Sequence, residues 1–411
     1  MIQVNRHQLS NGLQLVHSQN SATAMVALNI LYKVGARDEN PDRTGMAHLF
    51  EHLMFGGSEH AKDFDKEMEK AGGTNNAWTN SDFTNFYDIM PAQNAETAFW
   101  LESDRMNALA FSPKALEVQR HVVMEEFKQV CLNQPYGDMH HHLNGLAYTT
   151  HPYRYPVIGK ELSHIEKVTL DDIQSFFYSH YAPNNAIIAV TGNISFDRAR
   201  ELTEKWFATL PARTITSPAY SSEPEQTAPR RLEVEGRVPQ TVIVKAFHMS
   251  AYGKKEYFAA DVITDLLAMG KASRFYRNLL MSTDLYTKVD ASITGSEDEG
   301  LLLLRAHLRP GVEVEVAEKV LMEGATSLIS YPPTPNEMER AFNRFESVHT
   351  FGTMNYASLA TSLCMCEAHN EDINSVVDRQ RSVTIDDVIN TARHIFRKEN
   401  CSTLIYRPLS V

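Results

Sequence analysis

The sequence has few of the features that mark membrane, secreted or disulfide-stapled proteins. No run of apolar residues approaches the roughly 18 needed to cross a bilayer, and residues 1–7 lack the apolar core of a secretory signal. Only four cysteines occur in 411 residues, and none form a Cys-x-x-Cys pair. Sparse cysteines are typical of a reducing compartment. We therefore expect a cytoplasmic protein without a membrane partner.

Basic residues are fewer than acidic ones. There are 39 Lys and Arg against 51 Asp and Glu, which gives a net charge of -12. A field of this sign repels phosphate backbones, so nucleic acid is excluded as the expected partner. Hydrophobic residues make up 43% of the chain and charged residues 22%, as in soluble globular proteins. At roughly 150 residues per domain, the length indicates two domains.

Strand-like and helix-like segments alternate through the first half of the chain. Apolar alternation and β-branched residues predict strands over residues 25–34 and 85–91. A helix is predicted after Thr44, ending at the glycine pair 56–57. A longer helix is predicted to begin at the Ser-Pro step 112–113, because serine is a good N-cap and proline suits the first helical position.

A short internal echo indicates that the two halves of the chain are related. Val168-Thr-Leu-Asp-Asp-Ile173 recurs as Val383-Thr-Ile-Asp-Asp-Val388, and in both copies threonine can cap a helix that starts on two aspartates. A short apolar strand follows each copy at nearly the same distance. Chance recurrence of one capped helix and one strand is the alternative. Duplication predicts an α+β fold with two similar domains, each with helices packed on an antiparallel sheet.

A proline-rich stretch separates the halves. Residues 211–229 hold four prolines among serines and threonines and show no apolar periodicity, which is typical of a linker. The sequence therefore predicts a first domain over residues 1–210, a linker over 211–229 and a second domain over 230–411.

One segment carries the residues for metal chemistry. His48-Leu-Phe-Glu51-His52 lies in the helix predicted after Thr44. Residues i and i+4 share a helix face, so both imidazoles can reach one metal ion. Glu51 is next to His52 and can lie over the same site without being a ligand, where a carboxylate can act as a general base. The alternative is a helix with two surface histidines in salt bridges.

The helix after the Ser-Pro step offers a third ligand. Glu126 has Val122, Val123 and Val130 three and four residues away, which predicts that it lies on an apolar, inward face. An acid on a buried face needs a partner, and a cation supplies one. An internal salt bridge is the alternative. The histidines of the second half lack ligand spacing, so no second metal site is expected there.

These residues resemble the inverted zinc motif of the pitrilysin/insulinase metallopeptidases. In that family His-x-x-Glu-His is followed by a glutamate at the interval that separates His52 from Glu126 here. Residues 72–84, 147–156 and 192–194 also match the family. The match is close over the first half of the chain and loose over the second. The length is that of the half-size members, which resemble mitochondrial processing peptidase subunits.

The resemblance implies a zinc-dependent metalloendopeptidase with one zinc ion per chain. His48, His52 and Glu126 match the zinc ligands of the family, and Glu51 matches its general base. Two similar α+β domains, each a mixed, mainly antiparallel sheet flanked by helices, would form half of a clamshell, of which only the first domain holds zinc.

The resemblance also implies how substrates bind and how the chain assembles. Asn76 and Ala77 match positions that bind a substrate backbone. The expected chemistry is strand addition, in which an extended peptide pairs with an exposed sheet edge. Half-size members work as pairs, so we expect a homodimer, or a heterodimer with a related chain. Such a pair would hydrolyse peptides or unfolded segments inside an enclosed chamber.

Two departures from the family pattern concern the supporting residues. Gln119 stands where the family usually has a second glutamate. The second domain of the family supplies an Arg and a Tyr that polarise the scissile carbonyl, and these positions fall on Leu280 and Thr287. Tyr286 is one position away and is the candidate replacement. These departures favour the alternative function, a non-catalytic or partner-dependent subunit of a paired peptidase assembly.

Overall fold

The structure, a computed structural model, describes residues 1–216, 220–295 and 297–409. Residues 217–219, in the predicted linker, and residues 296 and 410–411 lie outside this part. The strands are β1 (Asn5–Gln8), β2 (Gln14–Gln19), β3 (Met25–Tyr32), β4 (Thr74–Thr79), β5 (Thr84–Pro91), β6 (Ala186–Gly192), β7 (Arg230–Gly236), β8 (Val242–Met249), β9 (Tyr286–Ile293), β10 (Gly300–Leu308) and β11 (Cys401–Pro408). The α-helices are α1 (Met46–Leu53), α2 (Phe64–Lys70), α3 (Glu96–Asn107), α4 (Pro113–Phe127), α5 (Met139–Ala147), α6 (Leu162–Glu166), α7 (Leu170–His180), α8 (Phe196–Phe207), α9 (Lys255–Ala268), α10 (Val314–Ser330), α11 (Pro335–Met354), α12 (Tyr356–Ala368), α13 (Val376–Arg381) and α14 (Ile385–Ile395).

In the described part of the chain, the first sheet has six strands in the order β1-β2-β6-β3-β5-β4. β2 and β6 run parallel, and all other neighbours are antiparallel. The central strands β3 and β6 are almost completely buried, because α12 packs on both of them. β4 ends the order and is an edge strand, and α1 lies against it.

The second sheet repeats this topology. Its order is β7-β11-β8-β10-β9, with β7 and β11 parallel and the other neighbours antiparallel. Without β1, the first sheet has the same succession of first, fifth, second, fourth and third strand. The predicted α+β fold with two similar mixed sheets is confirmed.

The capped helices of the internal echo precede the matching strands. Thr169 accepts the N–H of Asp172 at the start of α7, and Thr384 accepts the N–H of Asp387 at the start of α14, each in a reciprocal capping box. β6 follows α7 and β11 follows α14. Helix and strand therefore occupy equivalent places in the two sheets, as duplication predicts.

Each sheet organises one compact unit, and both units are discontinuous in sequence. The first comprises Met1–Phe127, Tyr155–Ala219 and His349–Val376, and the second comprises Lys128–Arg154, Tyr220–Val348 and Val377–Val411. One boundary between the units falls inside the linker predicted over residues 211–229. The contiguous domains predicted over 1–210 and 230–411 do not describe these units, because α5 belongs to the second unit and α12 to the first.

Polar and apolar contacts hold α12 on the first sheet. Leu359, Leu363 and Cys364 are buried in one cluster with residues of β3 and β6. The hydroxyl of Thr361 donates to Oδ1 of the buried Asn29 on β3, at 3.0 Å. A helix from the last third of the chain thus completes the core beneath the first sheet. No described helix combines the length and the apolar character that a membrane crossing requires.

Candidate metal centre

The histidine motif lies on α1, whose N-terminus is fixed by a carboxylate from outside the helix. Gly45 precedes the helix with φ 88°, and a Cβ there would lie 3.0 Å from the carbonyl oxygen of Ile158, so glycine is required. The two side-chain oxygens of Glu39 accept the N–H of Gly45 at 2.8 Å and that of Ala47 at 2.7 Å. Two free helix N–H groups are thereby satisfied, and the rotation of the helix about its axis is set.

The predicted ligands converge on one point. The ligand atoms of His48, His52 and Glu126 lie within 4.8 Å of one another, the only such group of three or more among the described residues. Nε2 of His48 is 3.7 Å and Nε2 of His52 is 3.4 Å from Oε2 of Glu126. Tetrahedral zinc with ligands at about 2.0–2.2 Å separates them by about 3.3–3.6 Å. The three residues therefore fit a zinc ion.

The protonation state of His48 bears on the choice between a metal site and a salt bridge. Burial lowers the pKa of His48 to about 4, so this imidazole is neutral near pH 7, the form that binds a metal. A neutral His48 cannot form an ion pair with Glu126, although the two lie within ion-pair distance. The hydrogen bond with His52 lowers the pKa of Glu126. This leaves the contact between His52 and Glu126, at 3.4 Å, as the salt bridge that the alternative requires, and the convergence of all three ligand atoms is what favours a metal site.

Glu126 reaches the site from the last turn of α4, from a position that differs from the predicted one. Val123 is fully buried, but Val122 is 45% exposed and the side chain of Glu126 is 38% exposed. The inward, apolar face predicted for Glu126 is therefore wrong, and the carboxylate lies at the margin between core and solvent. This margin faces α1 and leaves the site open to water, as a catalytic metal requires.

Glu51 lies beside the three ligands and is not one of the converging group. Its Oε2 accepts a hydrogen bond from the hydroxyl of Thr79, the last residue of β4, at 2.6 Å. Burial raises the pKa of Glu51, and the hydrogen bond from Thr79 opposes this rise. A carboxylate with a raised pKa next to a metal site is suited to accept and return a proton.

The two predicted backbone-binding positions lie in the edge strand. Asn76 and Ala77 are in the middle of β4, which among the described strands has β5 as its only neighbour. The N–H of Ala77 donates to the side-chain oxygen of Asn76 at 2.8 Å. Since N–H groups point alternately toward and away from the partner strand, this contact directs the Ala77 N–H to the open edge. The edge can accept an extended peptide there.

The second unit does not support the proposed role of Tyr286. This side chain is 1% exposed, and its hydroxyl donates to the carbonyl of Ala317 at 2.6 Å. Tyr286 is therefore a core residue and not a substrate contact. Leu280 packs against the same core, whereas Thr287 is exposed and its hydroxyl donates to the side chain of Gln240 at 3.3 Å.

Sequence reasoning missed two residues that position this site. Thr79 lies two residues after Ala77, so strand alternation places both side chains on one face of β4. Nothing in the sequence pattern indicated that this face lies against α1. Glu39 gave no signal, because a carboxylate that caps a helix from six residues before its N-cap matches no local capping motif.

Comparisons with known proteins agree with the geometry. The family profile described as Insulinase (Peptidase family M16) matches residues 15–161, and the profile described as Peptidase M16 inactive domain matches residues 167–345. The zinc protease PqqE of Helicobacter pylori is 27% identical over 410 residues, which span 97% of this chain and 92% of that relative.

Solved structures share the whole fold. The crystal structure of a protease from Helicobacter pylori superposes with a TM-score of 0.93 at 26% identity, covering 99% of this chain and 100% of that one. The periplasmic protease PqqL from Escherichia coli superposes with a TM-score of 0.79 at 17% identity, and the match covers 99% of this chain but 47% of PqqL. With both family profiles matched and the zinc-motif residues brought together, the chain belongs to the insulinase family of peptidases, M16.

Proposed function

We propose that this chain is a zinc metalloendopeptidase that hydrolyses peptides or unfolded segments. The observation that carries the proposal is the convergence of His48, His52 and Glu126 beside a second acid, Glu51, whose Oε2 accepts a hydrogen bond from Thr79. Three ligands with an open position and a separate carboxylate are the parts that metal-assisted hydrolysis needs.

The roles of the residues follow from their positions. His48, His52 and Glu126 would hold zinc, which would supply the Lewis acidity that polarises a peptide carbonyl and lowers the pKa of water. Glu51 accepts the proton of the attacking water and delivers it to the departing amine nitrogen. Its Oε2 is engaged by Thr79, so Oε1 is the oxygen available for this transfer.

Substrates bind in this proposal as an added strand on β4. The N–H of Ala77 faces the open edge and is capped by the side chain of Asn76, which must move aside when a substrate carbonyl takes its place. Because main-chain hydrogen bonds supply the affinity, the preference is for extended chains, and side-chain selectivity comes second.

The working unit in this proposal is a pair that encloses the site. The chain spans about half of PqqL, which carries a second half in the same polypeptide. A second copy, or a related chain, would supply that half. Enclosure excludes bulk water and admits extended segments, so compact folded proteins should resist cleavage. Placement in the cytoplasm stays a prediction from composition.

The alternative function is a partner-dependent subunit without activity of its own. Leu280 and Thr287 stand where the resemblance implies Arg and Tyr, and Tyr286 is buried and cannot replace them. In this alternative the missing pair would come from a related chain.

A quenched peptide library, assayed with and without a zinc chelator, separates the two functions. The proposal expects cleavage by the chain alone, lost with chelator, restored by zinc and absent in Glu51→Gln. Cleavage only after mixing with a related chain that carries the Arg/Tyr pair would favour the alternative. Cleavage that is indifferent to chelator and to Glu51→Gln would refute the metallopeptidase assignment.

A further inference from the structure

We propose that Thr79 is a positioning residue that fixes the carboxylate of Glu51, and so couples the general base to the strand that receives the substrate. The inference rests on the proposed function, and it concerns one contact. The hydroxyl of Thr79 lies 2.6 Å from Oε2 of Glu51, a length typical of a hydroxyl that donates to an ionised carboxylate.

The contact fixes a side chain that α1 alone leaves free. Glutamate has three rotatable bonds, and ordering them costs conformational entropy. Threonine is branched at Cβ and is restricted to few rotamers, so its hydroxyl is a rigid reference point. One oxygen of Glu51 is bound to that point, and the other is left for proton transfer.

The reference point is anchored deep in the first sheet. Thr79 pairs with Thr84 of β5. Thr84 is fully buried, and its hydroxyl donates to the carbonyl of Val34 at 3.0 Å. The position of Glu51 is therefore set by the sheet as well as by the helix that carries the ligands.

The same strand offers its outer edge to the substrate two residues earlier, at Ala77. A peptide that pairs with β4 adds main-chain hydrogen bonds along this strand, and Thr79 is on it. Substrate and general base are thus aligned against one element. A misplacement of about 1 Å between reacting groups costs about 100-fold in rate, so this shared alignment has a measurable effect on turnover.

Two substitutions of Thr79 separate positioning from a purely structural role. Thr79→Val keeps the shape and the β-branching but removes the donor. Thr79→Ser keeps the donor and loses the branching, which slightly weakens a strand. Thr350→Val, the same change at an exposed position of α11, is the control. For each variant, kcat and KM are measured with the zinc affinity in chelator competition and the Tm of the metal-free protein.

The expected pattern is specific to positioning. Thr79→Val lowers kcat by about 10-fold or more, with KM, zinc affinity and Tm close to wild type. Thr79→Ser restores kcat to within about threefold of wild type, although it is the less favourable residue for a strand. Thr350→Val is unchanged in all four measurements.

Several outcomes overturn the inference. If Thr79→Val keeps the wild-type kcat, or if Thr79→Ser fails to restore it, the hydroxyl does not position the base. If kcat falls together with zinc affinity or Tm, the contact is structural. Activity lost in Glu51→Gln but kept in Thr79→Val refutes this inference alone, whereas activity that survives Glu51→Gln refutes the proposed function and this inference with it.

Discussion

The carboxylate of Glu39 at the start of α1 gives a prediction about pH and stability. Glu39 is 4% exposed, and burial raises its pKa to about 8. The hydrogen bonds from the N–H groups of Ala47 and Gly45 oppose this rise in pKa, and the charge of Asp38 adds to it. The group is therefore neutral in the folded protein near pH 7, whereas it is ionised in the unfolded chain. Glu39→Gln removes the titration while keeping the shape.

The sign and size of the effect follow from linkage. The folded pKa lies above the unfolded one, so Glu39 contributes stability that is fully present below about pH 4.5 and is lost as pH rises to about 8. The shift from 4.5 to about 8 corresponds to at most about 5 kcal/mol over this window. Glutamine leaves one of the two helix N–H groups without an acceptor, which costs about 1–3 kcal/mol.

The assay is urea unfolding of metal-free wild type and Glu39→Gln from pH 5 to pH 8.5. Wild type should be the more stable protein at pH 5. The difference should shrink by about 3–4 kcal/mol toward pH 8 and change sign on the way. Other titrating groups cancel in the difference. Glu161→Gln, at an exposed helix start, is the matched control and should show no such decline.

A difference that stays constant across this pH range would refute the reasoning. It would mean that Glu39 remains ionised in the folded protein, because the hydrogen bonds from Gly45 and Ala47 outweigh the cost of burying its charge. The carboxylate would then act as a charged cap on the helix that carries the metal ligands, and its removal should weaken zinc binding at every pH.

Three further predictions address the metal, the base and the substrate edge. His52→Ala should lose stoichiometric zinc in metal analysis while remaining folded, and full occupancy would contradict the ligand set. Glu51→Gln should retain zinc and lose activity by about 100-fold or more, and loss of the metal would make Glu51 a ligand. Ala77→Pro should raise KM by about 10-fold or more without lowering Tm, because proline is tolerated on an edge strand whose N–H faces outward. Asn76→Pro, which removes an N–H facing β5, should lower Tm. If Ala77→Pro lowered Tm and Asn76→Pro did not, the N–H of Asn76, and not that of Ala77, would face the open edge.

Local signals predicted the parts of the fold that local physics determines. The caps at Thr169 and Thr384 depend on side chains three residues away, and both helices begin where predicted. The motif on α1 places His48 and His52 on one face because helical periodicity requires it. These predictions needed no knowledge of the rest of the chain.

Long-range packing determined what the sequence could not show. The apolar neighbours of Glu126 predicted a buried face. Only Val123 among them is buried, because the contacting helix α1 covers no more than part of that face. Tyr286 was a candidate substrate contact because it lies one position from the place where the family has its Tyr. Strand alternation alone cannot tell which face of β9 packs against the core. Placement of α12 in the first unit follows from tertiary contacts that leave no local mark.

The location of α12 has a consequence for biosynthesis. Its buried side chains belong to the core of the first sheet, yet the helix ends at Ala368. At about 5–20 residues per second, translation from the end of α8 at Phe207 to that point takes roughly 8–30 s. Throughout this interval the apolar face of β3 and β6 lacks its cover while the metal ligands are already outside the ribosome. A fragment that ends near residue 210 should therefore aggregate, and nascent chains of this length are expected clients of chaperones that shield exposed apolar surface.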